Sequence, residues 1–226
     1  MKTVAYLRTN GIYYDSRATK EIIALSKYAD KVIVYGWDRE GNALEKCRKQ
    51  FTQSDNIAFF FYEKKIEDGI GLRNIDKLIG WFCWIYRKLK ETAEIDIVHA
   101  CDLDTGLPAY WFCKKQKIPL VYDIYDYYTD CHSVPGLVEK FVERKEINII
   151  NWAECTIICT EERIKQISKS KPQKVIVLHN SPEVESYPER KLEYDYAYFG
   201  GLNDERMIGP ILQEYCHNTD LRFCRG

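Results

Sequence analysis

Short apolar runs alternate with amphipathic stretches along most of the chain. Seven of these runs are almost continuous in hydrophobic residues, as expected for strands that are buried on both faces: 3–7, 32–35, 57–62, 95–99, 120–124, 155–159 and 175–178. The alternation predicts an α/β fold, specifically a Rossmann-like doubly wound parallel sheet with helices on both faces.

Helix starts and helix faces follow from the amphipathic stretches. Ser16 is suited to cap a helix that runs to about Tyr28, with Ile22, Ile23 and Leu25 facing the sheet. Further helix starts are predicted near Asp104, Pro135 and Glu161.

The stretch 72–90 is longer and more hydrophobic than the others. Apolar residues recur at a spacing of three to four, at Leu72, Ile75, Ile79, Phe82, Tyr86 and Leu89. Two interpretations stay open: a crossover helix that faces the core, or an interfacial helix that places Trp81 and Trp84 among lipid headgroups. The stretch is too short and too charged to span a bilayer.

A change of pattern after residue 182 predicts a domain boundary. We expect a first domain over 1–182 and a linker over 183–193, which is rich in charge and contains Pro188. Residues 194–226 then open a second α/β domain with one strand, one helix and the beginning of another strand. Because so short a segment cannot bury its apolar face alone, we expect this second domain to be incomplete and the chain to be truncated.

Composition excludes some classes of partner. The chain has 33 basic and 34 acidic residues, so it lacks the broad positive charge that is typical of nucleic-acid binders. The nine cysteines form no C-x-x-C pair, and the first residues read as a strand rather than a signal peptide. We therefore expect reduced thiols and a cytoplasmic protein.

In an open parallel sheet, ligands bind at the carboxyl ends of the strands. The loop after the first strand contains one glycine, Gly11, and lacks the G-x-G-x-x-G spacing of dinucleotide sites. This argues against an NAD- or FAD-dependent oxidoreductase or epimerase. Gly11 is suited either to a tight turn or to a close contact with a substrate.

The fourth strand leads into a histidine and two acidic residues. His99 fits either a hydrogen-bonded, partly buried imidazole or a sugar ligand, whereas Asp102 on the following loop is the better candidate for binding hydroxyl groups. Asp104 fits a helix cap. A zinc site of His99, Cys101, Asp102, Cys131 and His132 lacks closely spaced ligand pairs, so buried thiols are the favoured interpretation.

Carboxylates and phenols are dense after the fifth strand. Strand alternation places Asp123 and Tyr125 on the face opposite Ile124 and Asp126, so these side chains cannot all reach one ligand. Such a mixture suits carbohydrate binding, but it also suits a loop that packs on itself. Thr160, after the sixth strand, fits an N-cap with acidic residues in the first turn.

Four segments, 97–106, 121–126, 178–180 and 198–202, together resemble the N-terminal half of GT-B glycosyltransferases of the large group-four-like retaining family. The resemblance implies transfer of a sugar from a nucleotide-diphosphate donor to a glycan or lipid-linked acceptor in polysaccharide biosynthesis, with no metal and no cofactor. It implies an acceptor site at Gly11, Tyr13, His99, Asp102, Tyr125 and Asp126, and a donor site at Thr160, Glu161, Asn180, Gly200, Gly201 and Arg206.

The chain departs from this family at several positions. Tyr125 stands where many members have a histidine, and Gly201 stands where an arginine is frequent, with Arg206 as the nearest basic substitute. The family's paired glutamates have no counterpart, so we expect the chain alone to be inactive. The alternative is a non-catalytic subunit that binds an acceptor or the inner face of a membrane and pairs with a separate donor-binding chain.

Overall fold

The computed structural model describes residues 2–66, 74–131, 136–181, 196–198, 208–216 and 223–225. The chain forms two compact units, Met1–Asn180 and Ser181–Gly226. The predicted linker, 183–193, lies outside the described residues.

A seven-stranded parallel sheet forms the centre of the first unit. Its strands, β1 to β7, are Thr3–Arg8, Lys31–Asp38, Ile57–Glu63, Ile97–Cys101, Leu120–Ile124, Cys155–Ile158 and Val175–Val177. They are arranged in the order β3-β2-β1-β4-β5-β6-β7, and every neighbouring pair is parallel. The predicted fold class, a Rossmann-like parallel sheet, is confirmed.

The fourth strand starts two residues later than predicted. Asp96 lies before it and its carboxylate accepts a hydrogen bond from the Thr3 amide at 2.7 Å, while the pairing with β1 begins at Ile97. Ile95 is buried but lies outside the strand. As a result, His99 lies in the middle of β4 instead of at its carboxyl end.

Helices cover the sheet and follow most of the predicted starts. In the first unit they are α1 Ser16–Tyr28, α2 Ala43–Gln50, α3 Ile75–Glu91, α4 Leu103–Gln116, α5 Tyr128–Cys131 and α6 Gly136–Trp152. The segment Glu161–Lys165 is a short 3₁₀ helix instead of an α-helix, and α2 was not predicted. The second unit contains β8 Tyr196–Tyr198 and β9 Phe223–Arg225, which pair in parallel, and α7 Ile208–Cys216.

The N-cap of the first helix lies one residue before the predicted cap, Ser16, which is instead the first residue of the helix. Asp15 is the N-cap, and its Oδ1 accepts a hydrogen bond from the Ala18 amide at 3.1 Å. Ile22 is fully buried as predicted, whereas Ile23 faces solvent. Arg17 and Glu21 occupy buried positions of the same helix face, so α1 contributes two charged side chains to the protein interior.

The predicted buried face of α3 is only partly correct: Leu89 is fully buried, and Phe82 and Tyr86 pack against the core. Ile75 and Ile79 are 51% and 56% exposed, whereas Trp81 is fully buried. The Trp81 ring stacks on Trp37 and on Trp84, with centroids 5.5 and 5.6 Å apart. Aromatic rings bury more apolar area than aliphatic side chains, so they decide which face turns inward.

This packing excludes the interfacial interpretation for Trp81, because a fully buried ring cannot lie among lipid headgroups. Among the described residues, no helix is long and apolar enough to cross a membrane.

A close approach of backbones fixes the loop after β1. A Cβ atom on Gly36 of β2 would lie 2.8 Å from the Asn10 carbonyl oxygen, and that oxygen accepts a hydrogen bond from the Trp37 amide at 3.0 Å. Only glycine at position 36 leaves room for this contact, so β2 holds the loop 9–15 at the carboxyl edge of the sheet.

Candidate functional site

The strand order reverses direction at β1. From β1 the chain proceeds through β2 to β3 on one side, and it then returns to build β4 to β7 on the other side. Ligands of open α/β sheets bind at such a switch point, in the crevice between the carboxyl ends of the two diverging strands. The loops after β1, β4 and β5 meet there, and they carry most of the residues predicted from the sequence.

Arg8 ties two of these loops together. Its Nε donates to Asp15 Oδ2 at 2.9 Å, and its Nη1 pairs with Asp102 Oδ2. The side-chain Nδ2 of Asn10 donates a hydrogen bond to the same Asp15 oxygen at 2.8 Å. Burial raises the pKa of Asp15, but the Arg8 charge and the Ala18 amide outweigh it, so the net pKa is lowered. We refer to Arg8, Asn10, Asp15 and Asp102 as the Arg8 group.

Asp102 connects β4 to the loop after β5. Its Oδ1 accepts hydrogen bonds from the Tyr125 amide at 2.8 Å and the Asp126 amide at 3.0 Å. Its backbone has φ 64° and ψ 170°, a conformation that is populated almost only by glycine. Burial raises its pKa in spite of the nearby Arg8 charge.

Asp102 follows β4 as predicted from the sequence, but its carboxylate is largely buried. The side chain is 17% exposed, and both carboxylate oxygens already have protein partners. The observed role of Asp102 is therefore to position the loop after β5. Its binding of an acceptor stays a prediction.

Behind the Arg8 group lies a second set of charged side chains, which we call the buried polar cluster: Arg17, Glu21, His99 and Asp123. All four residues are buried. Arg17 Nε donates to Glu21 Oε1 at 2.9 Å, and Arg17 Nη2 pairs with Asp123 Oδ1. His99 Nε2 lies 3.3 Å from Asp123 Oδ2 and 3.7 Å from Glu21 Oε2.

Two tyrosines complete the surroundings of Glu21. The hydroxyls of Tyr6 and Tyr125 donate to Glu21 Oε2 at 2.8 and 2.9 Å. Burial raises the pKa of Asp123 to about 6. The pKa of Glu21 is lowered, because the effects of His99, Arg17 and Tyr6 together exceed that of burial.

The burial of His99 does not match the predicted contact with a sugar acceptor. Its position in the middle of β4 directs it to the buried carboxylates and against the Tyr6 ring, 4.8 Å away between centroids. The alternative interpretation, a hydrogen-bonded buried imidazole, agrees with the structure.

Tyr125 lies between two guanidinium groups. The Arg8 and Arg17 Cζ atoms lie 4.0 and 4.1 Å from the ring centroid, one from the Arg8 group and one from the buried polar cluster. Its carbonyl oxygen accepts a hydrogen bond from Arg163 Nη1. Burial raises the pKa of the Tyr125 hydroxyl, so the phenol stays protonated and serves as a hydrogen-bond donor to Glu21.

The remaining predicted acceptor residues differ in accessibility. Asp126 is accessible to solvent, with 60% of its side chain exposed, and its Oδ1 lies 3.8 Å from Arg163 Nη2. Gly11 is buried. Tyr13 is half-buried, and its hydroxyl donates to Glu40 at 2.9 Å and accepts from Lys46 at 3.1 Å. Asp123 is buried, whereas most of the Asp126 side chain is exposed.

Between Gly11 and Tyr13 the backbone is strained. Ile12 is fully buried with φ 68°, and the Tyr13 amide donates to the Gly11 carbonyl at 2.8 Å. A positive φ at a β-branched residue is rare, and such strain is concentrated at functional sites. No sequence pattern signals it. Tyr14, the neighbouring exposed ring, was also not predicted.

The predicted donor residues that the structure describes lie after β6 and β7. The Thr160 side chain makes no capping hydrogen bond. Glu161 Oε1 lies 3.4 Å from His179 Nε2. Asn180 Oδ1 accepts a hydrogen bond from Lys20 Nζ at 3.1 Å. Gly200, Gly201 and Arg206 lie outside the described residues. Arg163 was missed, although its place in the first turn after β6 was a usable signal.

The zinc set considered from the sequence lies only partly within the described residues. Asp102 is engaged by Arg8, and His132 and the Cys131 side chain lie outside what the structure describes. Instead, the ligand atoms of Glu21, His99, Cys101 and Asp123 lie within 4.8 Å of one another. The six cysteines whose side chains are described are free thiols.

Comparison with solved structures identifies the architecture. The chain matches UGT89C1 of Arabidopsis thaliana, solved with UDP-L-rhamnose, over 100% of its length at a TM-score of 0.66 and 11% identity. The chain has a GT-B glycosyltransferase fold. It covers 65% of the UGT89C1 chain, and at this identity the likeness concerns the GT-B fold alone.

Two further GT-B structures agree. Sucrose-phosphate synthase from Thermosynechococcus elongatus matches 100% of this chain and 70% of its own, with 10% identity and a TM-score of 0.64. HepE of Anabaena, solved with UDP and glucose, matches 81% of this chain and 45% of its own, with 15% identity and a TM-score of 0.54. No protein-family profile and no curated protein matches the sequence. The predicted GT-B resemblance is confirmed at the level of fold.

Proposed function

We propose that this chain supplies the acceptor side of a glycosyltransferase that moves a sugar from a nucleotide-diphosphate donor to a glycan or lipid-linked acceptor. The observation that carries the proposal is the switch point between β1 and β4 in a GT-B fold, where the loops after β1, β4 and β5 converge. Two of the GT-B structures it resembles were solved with UDP-L-rhamnose and with UDP and glucose.

The acceptor site in this proposal has a rigid base and an open rim. The Arg8 group fixes the loops through ion pairs and amide contacts. On the rim, Asp126 offers an exposed carboxylate to sugar hydroxyls, and Tyr14 offers an exposed ring to an apolar sugar face. Asp102 contributes by holding the Asp126 amide at 3.0 Å, which sets the direction of the neighbouring carboxylate.

The donor side of the proposal requires positive charge for the departing diphosphate. Arg163, with 28% of its side chain exposed, is held near the end of β5 by its hydrogen bond to the Tyr125 carbonyl oxygen. Its 3.8 Å ion pair with the exposed Asp126 carboxylate contributes little to this position. A guanidinium binds phosphate oxygens in a bidentate manner and stabilises the negative charge that develops on them. We therefore propose transfer without a metal ion at this step, with Arg163 as a cation on the donor side.

Binding measurements test the proposal. Short oligosaccharides and a lipid-linked sugar are titrated by calorimetry into the chain and into two exposed-acid variants, Asp126→Asn and Asp55→Asn. Asp55 is exposed in the turn before β3, at the opposite edge of the sheet, and serves as the matched control. We expect Asp126→Asn to weaken acceptor binding about tenfold or more, since a carboxylate-to-hydroxyl contact contributes about 1.5–3 kcal/mol, and Asp55→Asn to leave it unchanged.

Donor binding provides the second arm. UDP-sugars are titrated into the same variants, and Asp126→Asn is expected to leave their affinity unchanged, while Arg163→Gln weakens it. Equal loss of acceptor and donor affinity in Asp126→Asn would contradict the division of labour. Equal loss of acceptor affinity in Asp126→Asn and Asp55→Asn would contradict an acceptor site at this edge.

A further inference from the structure

We propose that Glu21, His99, Cys101 and Asp123 form a structural zinc site beneath the candidate acceptor loops. This inference is independent of glycosyl transfer and concerns how the fold stabilises the carboxyl edge of its sheet. The four ligand atoms, one nitrogen, one sulfur and two oxygens, all lie within 4.8 Å of one another, and all four residues are buried.

Three secondary-structure elements bring these ligands together. His99 and Cys101 come from alternate positions of β4, so they point to the same face of the sheet. Asp123 lies on the neighbouring strand β5, paired with Cys101 in register. Glu21 reaches the same point from the buried face of α1. A metal ion here would cross-link the two central strands and a covering helix.

One oxygen of each carboxylate is directed toward His99: Asp123 Oδ2, and Glu21 Oε2, which also accepts hydrogen bonds from the Tyr6 and Tyr125 hydroxyls. Arg17 takes Glu21 Oε1 and Asp123 Oδ1. The other two oxygens, Glu21 Oε2 and Asp123 Oδ2, lie 3.7 and 3.3 Å from His99 Nε2. Zinc bonds of about 2.0 to 2.3 Å give a tetrahedron with edges of about 3.3 to 3.7 Å, which agrees with these two distances. The set as a whole spans up to 4.8 Å, so the widest separation shortens by about 1 Å when the ion binds.

Charge also favours a cation at this place. Glu21 and Asp123 carry two negative charges when ionised, and Arg17 is the one guanidinium that bonds to both of them. Arg8 is paired with Asp15 and Asp102. Since unpaired buried charge is costly, the cluster needs further positive charge from a metal ion or from a protonated His99.

The mixed ligand set selects the metal. Imidazole and thiolate ligands are preferred by Zn²⁺ over Mg²⁺ or Ca²⁺, and four protein ligands with no open position are typical of structural zinc. The Arg17 guanidinium bonds to the non-ligating oxygens Glu21 Oε1 and Asp123 Oδ1, as outer-shell groups do in known metal sites. The Tyr6 and Tyr125 hydroxyls hydrogen-bond to the ligating oxygen Glu21 Oε2 itself. Binding converts the Cys101 thiol to a thiolate and releases its proton to solvent.

The test uses the full 226-residue chain, freed of any purification tag. Zinc content is measured by elemental analysis after incubation with Zn²⁺ and removal of the excess. Co²⁺ is then used as a spectroscopic probe for thiolate coordination. We expect about one Zn²⁺ per chain, and a near-ultraviolet thiolate-to-cobalt band that is lost in Cys101→Ser. The control is Cys113→Ser, which removes a buried free thiol in α4 outside the ligand set and keeps the band.

Three results would overturn the proposal: no bound zinc after incubation, a cobalt spectrum that Cys101→Ser leaves unchanged, or an imidazolium at His99 that persists in saturating Zn²⁺ by nuclear magnetic resonance. If Cys101→Ser does not fold, the thermal midpoint of the unmodified chain decides. We expect Zn²⁺ to raise this midpoint by about 5 °C or more over the chelator-treated chain. An unchanged midpoint would count against the site.

Discussion

Replacing Asp102 separates two effects that the structure combines at one residue. Its carboxylate bonds to the Tyr125 and Asp126 amides and to Arg8, whereas its backbone lies at φ 64° and ψ 170°. Alanine removes the carboxylate and keeps the unfavourable backbone conformation. Glycine removes the carboxylate and adopts that conformation without strain.

The expected magnitudes follow from these contacts. Breaking a largely buried ion pair costs about 3–5 kcal/mol, and the 17% exposure of the Asp102 side chain places the loss near the lower limit. We therefore expect Asp102→Ala to reduce the free energy of unfolding by about 3 kcal/mol. Strain at such a position costs about 1–3 kcal/mol, so Asp102→Gly is expected to lose about 1–2 kcal/mol less than alanine, after the higher entropy of unfolded glycine is included.

Urea denaturation monitored by the fluorescence of the five tryptophans measures both values. Hydrogen exchange gives a local readout, since the Tyr125 and Asp126 amides are expected to lose protection in both variants. A glycine variant that is as unstable as the alanine variant, or less stable, would refute the argument from backbone strain. Unchanged exchange at those two amides would refute the anchoring role of the carboxylate.

Three further predictions concern titration, packing and close backbone contact. Burial and the neighbouring Asp102 raise the pKa of Asp104 to about 6; the folded state therefore binds the proton more tightly, and stability falls as pH rises from about 4 to about 6. We expect Asp104→Asn to have a shallower slope, since Asp123 also has a pKa raised to about 6 and still titrates in this range, and to be more stable than the unmodified chain at pH 7 by up to about 3 kcal/mol. Urea denaturation across this range measures both, and parallel pH profiles would contradict the prediction. Trp81→Ala is expected to cost about 3–5 kcal/mol because it opens a cavity in the aromatic stack, while Ile79→Ala on the exposed face costs less than about 0.5 kcal/mol; similar thermal midpoints for the two variants would refute this orientation of α3. Gly36→Ala places a methyl group 2.8 Å from the Asn10 carbonyl and is expected to lower stability by about 1–3 kcal/mol, whereas Gly136→Ala, with open space around it, is expected to lower it less; equal losses would contradict the close contact.

The sheet could be predicted because its strands are buried on both faces. Continuous apolar runs gave all seven positions, and β5 agreed residue for residue with the predicted 120–124. The start of β4 was placed too early because Ile95 is buried without belonging to the strand. A run of apolar residues indicates which positions are buried, but it does not show which of them pair with a neighbouring strand. The two-residue difference moved His99 from a strand end into the core.

The orientation of α3 could not be read from spacing alone. Two apolar stripes compete on this helix, one with Ile75 and Ile79 and one with Trp81 and Ile85. The partners of Trp81 outside α3 are Trp37 on β2 and Tyr62 on β3. Their proximity depends on the order β3-β2-β1, which the pattern of one segment does not contain.

The candidate site was only partly predictable for a similar reason. The sequence located the loops after β1, β4 and β5, but it did not show that Asp102 would turn its carboxylate to backbone amides. Arg17 and Glu21 were the overlooked signal, because their spacing of four places both charges on the buried stripe of α1 next to Ile22. Charged residues at predicted core positions indicate a buried polar network, and this one links α1 to β4 and β5.

The central claim is that ligands bind at the carboxyl edge of the sheet, at the switch point between β1 and β4. The most direct test maps amide chemical shifts of the 226-residue chain during titration with a sugar acceptor. We predict that the shifts concentrate at residues 9–15 and 125–127, near Asp126. Shifts concentrated at the opposite edge, around the cavity lined by Lys117 and Gln173, would contradict the claim.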